Sequence, residues 1–241
     1  MAIYAGILAL GIVAGGLSGI VGTGSSILLL PVLVFAFGPQ QAAPIMAIAA
    51  FMGNIAKAAS WWREVDWRAF LAYSISGGIG AALGARTLIL LPANTAELLL
   101  GLFFLLMIPG RLFLKSRDLS LGTAGLFVAG AVIGFVNGIV LSTGPLSIPV
   151  FSAYGLAKGA LISTEAMSSL LIGLSKIFAF YKLGAVTAET LLRGLLVGST
   201  VMLGSFGAKS LLVRMSAAQF ERTLDVMLLV AGLSMLGAAL T

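Results

Sequence analysis

The chain contains no cysteine and no histidine. The first absence removes disulfides, thiolate metal sites and thiol nucleophiles. The second removes the side chain most used as a general base and most often found on a metal. Charge is scarce as well: Asp, Glu, Lys and Arg make up 9% of the 241 residues, against about a quarter in a soluble domain. What remains is apolar, 60% of the residues with a mean hydropathy of +1.13, and such a composition belongs in lipid.

The apolar residues fall into long runs, roughly 2–37, 44–62, 67–91, 95–114, 119–154, 159–181, 187–212 and 217–240. Most approach the ~20 residues a helix needs to cross ~30 Å of hydrocarbon. The expected fold is therefore an all-α integral membrane protein with about eight hydrophobic segments. The N-terminal run MAIYAGILAL has no cationic stretch before it, so it reads as a first membrane segment and not as a cleaved signal. A formal net charge of +6 would point to nucleic acid in a soluble protein, but these cations are spread thinly along short loops, so no nucleic acid partner is expected. If each segment crosses once, Arg63, Arg68, Arg111, Lys115, Arg117, Lys182 and Arg193 share the side of the termini. Arg86, Lys158, Lys209, Arg214 and Arg222 fall opposite. Seven against five favours termini in the cytoplasm.

The chain repeats itself. Gly11, Gly15, Gly19, Lys57 and Arg63 recur as Gly130, Gly134, Gly138, Lys176 and Lys182, each 119 residues later. The stretches IAKAASWWR and LSKIFAFYK share a small residue, a lysine, a spacer, two aromatics and a cation. Two repeated halves, 1–118 and 119–241, are expected, an arrangement typical of secondary transporters whose substrate site lies where the halves meet. Four crossings per half make the repeats parallel; segments that dip in and return make them inverted, and the sequence leaves both open.

Segments one and five are too long for a single crossing, about 54 Å at 1.5 Å per residue. Each carries a run of poor helix formers: Gly22, Thr23, Gly24, Ser25 and Ser26 in the first, and Ser142, Thr143, Gly144 and Pro145 in the second. Pro145 suits the first turn of a helix, and a hydroxyl residue before it suits the N-cap. Each long segment thus reads as a helix, a break near mid-membrane, and a short helix starting at about Ile27 or Leu146. Unpaired backbone N–H groups in hydrocarbon are tolerated only where protein or a water-filled cavity satisfies them. Two helix N-termini with hydroxyls around them suit an oxyanion; the plainer alternative is a pair of kinks with hydroxyls bonded back to carbonyls. The glycine trios put one face of each helix close to a neighbour, and Gly80 with Gly84 offers a small-residue surface for a dimer or for another helix of the same chain.

Lys57 and Lys176 stand inside hydrophobic segments, where a charge costs at least ~2.5–3.5 kcal/mol and normally faces the protein interior. They either steer an anion toward the breaks or snorkel to the interface. Asn54 shares the face of Lys57, and Asn137 lies one turn before the second break. Glu165, 11 residues before Lys176, falls on roughly the same helix face. It is either a proton carrier or a helix-start acid complementing the dipole.

The paired stretches GGLSGIVGTGSSILLLP and GFVNGIVLSTGPLSIP, within about eight membrane segments, resemble the sulfite exporter TauE/SafE family, also called the toluene sulfonate uptake permease family. The resemblance spans the whole chain. It implies a multi-pass transporter of the bacterial or archaeal cytoplasmic membrane, moving sulfite, sulfonates or related small organic anions; Gly80 and Gly84 leave a monomer or a homodimer open. The expected mechanism is alternating access about a site made by Gly22, Thr23, Gly24, Ser25, Ser26, Asn54, Lys57, Asn137, Ser142, Thr143, Gly144 and Lys176, with Glu165 as the candidate for proton coupling. An anion channel is the alternative. Gly16-Leu17-Ser18-Gly19 fits the Gly-x-Ser-Gly pattern of membrane serine proteases, but with no histidine base that chemistry is excluded and no enzyme is expected. A metal transporter wants clustered His, Cys or carboxylates in the membrane, and Glu165 is the one acid available, so neither metal nor cofactor is expected.

Overall fold

A computed structural model describes residues 2–21, 25–116, 120–141, 143–211 and 217–240. Among the described residues the chain is all helical, in ten α-helices. The first five are α1 (Ala2–Val21), α2 (Ser25–Phe37), α3 (Pro39–Trp61), α4 (Trp67–Leu90) and α5 (Ala93–Ser116). The second five are α6 (Thr123–Val140), α7 (Gly144–Ala153), α8 (Lys158–Lys182), α9 (Ala188–Leu211) and α10 (Ala217–Leu240). The long stretches 2–37 and 119–154 each hold two helices, a long one and a short one of 13 or 10 residues.

Among the described residues four stretches are long and apolar enough to cross a membrane by length and composition: Pro39–Ala59, Ala93–Gly110, Thr123–Val140 and Gly159–Lys182. Helix α4 is as long but less apolar, because its inward face is built from Ser74, Ser76, Gly77, Gly78, Gly80 and Gly84, all buried. The outward faces are apolar: Ile79, Leu83, Phe127, Val128 and Leu203 are exposed. Lipid suits such a surface.

Small residues set which helices touch, and the touching residues set direction. Along α4 and α6, Tyr73 meets Gly130, Gly77 meets Gly134 and Ala81 meets Gly138, so the two run parallel. A Cβ on Gly134 would collide with the Gly77 backbone, which is why this approach requires glycine. Gly80 and Gly84 lie against α6 as well, so their small-residue surface is used inside the chain. Helix α4 is also parallel to α8: the Asp66 N–H donates to Thr164 Oγ1 at 2.9 Å and Gly78 faces Ser175 farther along. Asp66 caps α4 through a 2.9 Å bond from the Ala69 N–H.

The same arrangement recurs around α9. It runs parallel to α1, where Gly11 meets Thr200 and Gly16 meets Gly204, and parallel to α3, where Ile48 meets Gly194 and Gly53 meets Val201. Helices α3 and α8 are antiparallel at the centre: Lys57 and Glu165 line one cavity near one end, and Phe51 packs on Gly173 farther along. Thus α4 of the first half packs into the second half, and α9 of the second packs into the first.

The two short helices fold back beside the helices that precede them. The Leu121 N–H, just before α6, donates to the Ala153 carbonyl at the end of α7 at 2.9 Å. In the first half, Leu10 of α1 and Ile27 and Leu28 of α2 line one groove. The end of α2 lies beside the start of α9, with the Arg193 guanidinium 4.3 Å from the Phe37 ring centroid. Stretches 2–37 and 119–154 therefore return to the end of the bundle from which they set out. Counting each as one crossing, as the loop-cation tally did, places the following loops at the wrong end.

Candidate functional site

A cavity of about 60 Å³ lies where α3 and α8 cross the ends of the folded-back helices. By volume it holds on the order of four waters or one small anion. The end of α1 contributes Ser18 and the start of α2 contributes Ser25 and Ser26, all buried. Helix α3 supplies Asn54 and Lys57, α6 supplies Asn137, and α8 supplies Glu165, Ser169 and Lys176. Thr143 and Gly144 close the second fold-back. Gly22, Thr23, Gly24 and Ser142, expected in the same site, lie outside the described residues.

Neither lysine reaches the outer surface: Lys57 is 8% exposed and Lys176 is 4% exposed. Lys176 Nζ donates to Asn137 Oδ1 at 2.5 Å, and Asn137 Nδ2 donates onward to Thr143 Oγ1 at 2.6 Å. The chain reverses at Leu141, which adopts a left-handed conformation with φ of 63° while its N–H donates to the Asn137 carbonyl. A non-glycine residue there costs energy that only a constrained surrounding sustains.

Thr143 occupies the N-cap position of α7 without capping it; its hydroxyl is taken by Asn137. The first turn of α7 also offers fewer bare amides than the sequence implies. The Leu146 and Ser147 N–H groups both donate to the Thr143 carbonyl at 2.9 Å, and Pro145 has none. Side chains therefore carry more of this site than backbone donors do.

Glu165 is 5% exposed and lies two turns into α8, away from the helix start. It accepts from Ser169 Oγ at 3.0 Å and from Ser147 Oγ at 3.3 Å, and it lines the cavity together with Lys57. Ser147 and Ser169 escape a reading of the sequence, because serine is common in membrane helices. The one available signal for Ser169 is its place four residues after Glu165, on the same face.

With all three groups ionised, two lysines against one glutamate leave the cavity at a formal +1. A buried pocket with two lysines and several hydroxyl and amide donors is suited to an anion. Among the described residues no three His, Cys, Asp or Glu side chains come together as a metal site would need.

A family model described as Sulfite exporter TauE/SafE matches residues 7–235. No curated protein and no solved structure matches the chain.

Proposed function

Since the chain belongs to the sulfite exporter TauE/SafE family, a family of membrane transporters, we propose that its cavity binds a small sulfur-containing or organic anion. Sulfite and sulfonates are the substrates of this reading, and alternating access in the cytoplasmic membrane of a bacterium or archaeon is the mechanism. The observation that carries it is the meeting of Lys57 and Lys176, positions 119 residues apart in the proposed repeat, in one cavity with Asn54, Asn137, the serines of the first fold-back and Thr143 of the second.

The halves 1–118 and 119–241 act as two repeats. The exchanged packing of α4 and α9 supports this, because each helix meets the corresponding pair of partners: α6 with α8, and α1 with α3. Helix direction supports an inverted relation, since α3 and its counterpart α8 run antiparallel. Inverted halves give a direct route to alternating access, because the two ends of the site become equivalent when the halves exchange conformations. In this reading the breaks of segments one and five lie near mid-membrane against the substrate, which the buried Ser18, Ser25, Ser26 and Thr143 on the cavity wall support. Glu165 has no acidic counterpart: Met46 stands at the position 119 residues earlier. A single carboxyl beside Lys57 supports proton coupling on one branch of the cycle.

The test combines two measurements on purified protein. Thermal unfolding is recorded with sulfite, sulfate, thiosulfate, sulfoacetate, taurine and acetate, and a bound ligand raises the midpoint. The stabilising anion is then followed as labelled counterflow into proteoliposomes. Saturable, exchange-driven accumulation is expected. A conductive leak without exchange supports the channel alternative, and no anion stabilising the protein contradicts the proposal.

A further inference from the structure

The fold-backs change which loops share a face of the membrane. Because 2–37 and 119–154 return to their starting end, α3 begins at the same end as α1, and α8 begins at the same end as α6. Contacts at each end agree. At one end Gln40 Nε2 of α3 donates to the Leu91 carbonyl after α4 at 3.2 Å, and Arg193 of α9 reaches Gln41 at 3.1 Å. At the other, the Asp66 N–H bonds Thr164 of α8 and Glu64 lies against Gly159. The first end holds the start of α1, the end of α4, the end of α8 and the end of α10. The second holds the ends of α3, α5 and α9.

The cations separate accordingly. Arg63 and Arg68 flank the turn between α3 and α4, Arg111 and Lys115 lie near the end of α5, and Lys158 opens α8. Lys209 near the end of α9 and Arg222 near the start of α10 share that end. The opposite end has Arg86, Lys182 and Arg193. Lys57 and Lys176 belong to the cavity, while Arg117 and Arg214 lie outside the described residues. Seven against three is a pronounced bias, and loop lysines and arginines stay on the cytoplasmic side, where the leaflet is anionic.

We propose that the cation-rich end, carrying the α3–α4, α5–α6, α7–α8 and α9–α10 connections, faces the cytoplasm and its anionic leaflet, and that both chain termini face the opposite side. This reverses the orientation that single crossings imply. It rests on helix direction and loop charge and does not depend on what the cavity binds.

The chain has no native cysteine, so single cysteines report their own position. Ser120→Cys and Ala157→Cys mark the cation-rich end; Asn94→Cys and Leu183→Cys mark the other, and all four native side chains are exposed. In intact cells, a membrane-impermeant maleimide is expected to label Asn94→Cys and Leu183→Cys, and to label Ser120→Cys and Ala157→Cys only after the membrane is opened. Equal membrane levels of the four variants, and labelling of all four once the membrane is opened, show that they fold and insert. If every segment crossed once, Ser120 and Leu183 would share one face and Asn94 and Ala157 the other. That pairing overturns the proposal, as does labelling of Ser120→Cys and Ala157→Cys in intact cells with the other two protected.

Discussion

Lys176, Asn137 and Thr143 form a chain of donors and acceptors in which one asparagine serves two partners, its oxygen accepting a hydrogen bond from the lysine and its amide N–H donating one to the threonine. The polar residues at 57, 137, 165 and 176 were legible because a charge or amide within an apolar run is costly and rarely idle. Ser18, Ser147 and Ser169 were not, since a lone hydroxyl can satisfy itself on the preceding turn without any site being present. Glu165 offers a prediction at this scale. Glu165→Gln keeps an oxygen to accept from Ser147 and Ser169 but cannot exchange a proton. Uptake by the variant in proteoliposomes is expected to lose its response to an imposed pH gradient while counterflow at equal pH persists. An undiminished response assigns the carboxyl to structure alone.

That 2–37 and 119–154 each divide into a long and a short helix follows from their clusters of poor helix formers, and α2 and α7 begin two residues before the positions expected from sequence. Direction was not legible, because hydropathy reports apolarity and length and gives the same signal whether a stretch crosses or returns. Tertiary contacts decide it, chiefly the Leu121 to Ala153 bond and the parallel glycine seams. The seam between α4 and α6 predicts a contrast between two glycines. Gly134→Ala places a methyl on the Gly77 backbone and is expected to destabilise by about 1–3 kcal/mol as overpacking does. Gly110→Ala, whose methyl meets open space in α5, is expected to be neutral or to stabilise by up to ~1 kcal/mol through helix propensity. Unfolding in detergent compares them; equal midpoints contradict close approach at Gly134.

For the whole molecule, the displacement of 119 residues shared by glycines and cations is what the sequence offers for the proposed duplication, but the packing of α4 against α6 and α8 and of α9 against α1 and α3 left no mark in it. The small faces of these helices are compatible with packing inside either half, and only the assembled bundle distinguishes the two. The exchange matters for transport, since neither half can move without carrying a helix packed on the glycine seam of the other. The cavity sits at that junction, with one lysine from each half. Its role as an anion site is tested most directly by calorimetric titration of the stabilising anion into the native chain and the Lys57→Ala and Lys176→Ala variants. Losing a charged partner from a buried site weakens binding by about 1.5–3 kcal/mol, or roughly 10- to 100-fold. That loss is expected in each variant with helical content retained; unchanged affinity in both contradicts an anion held between the two lysines.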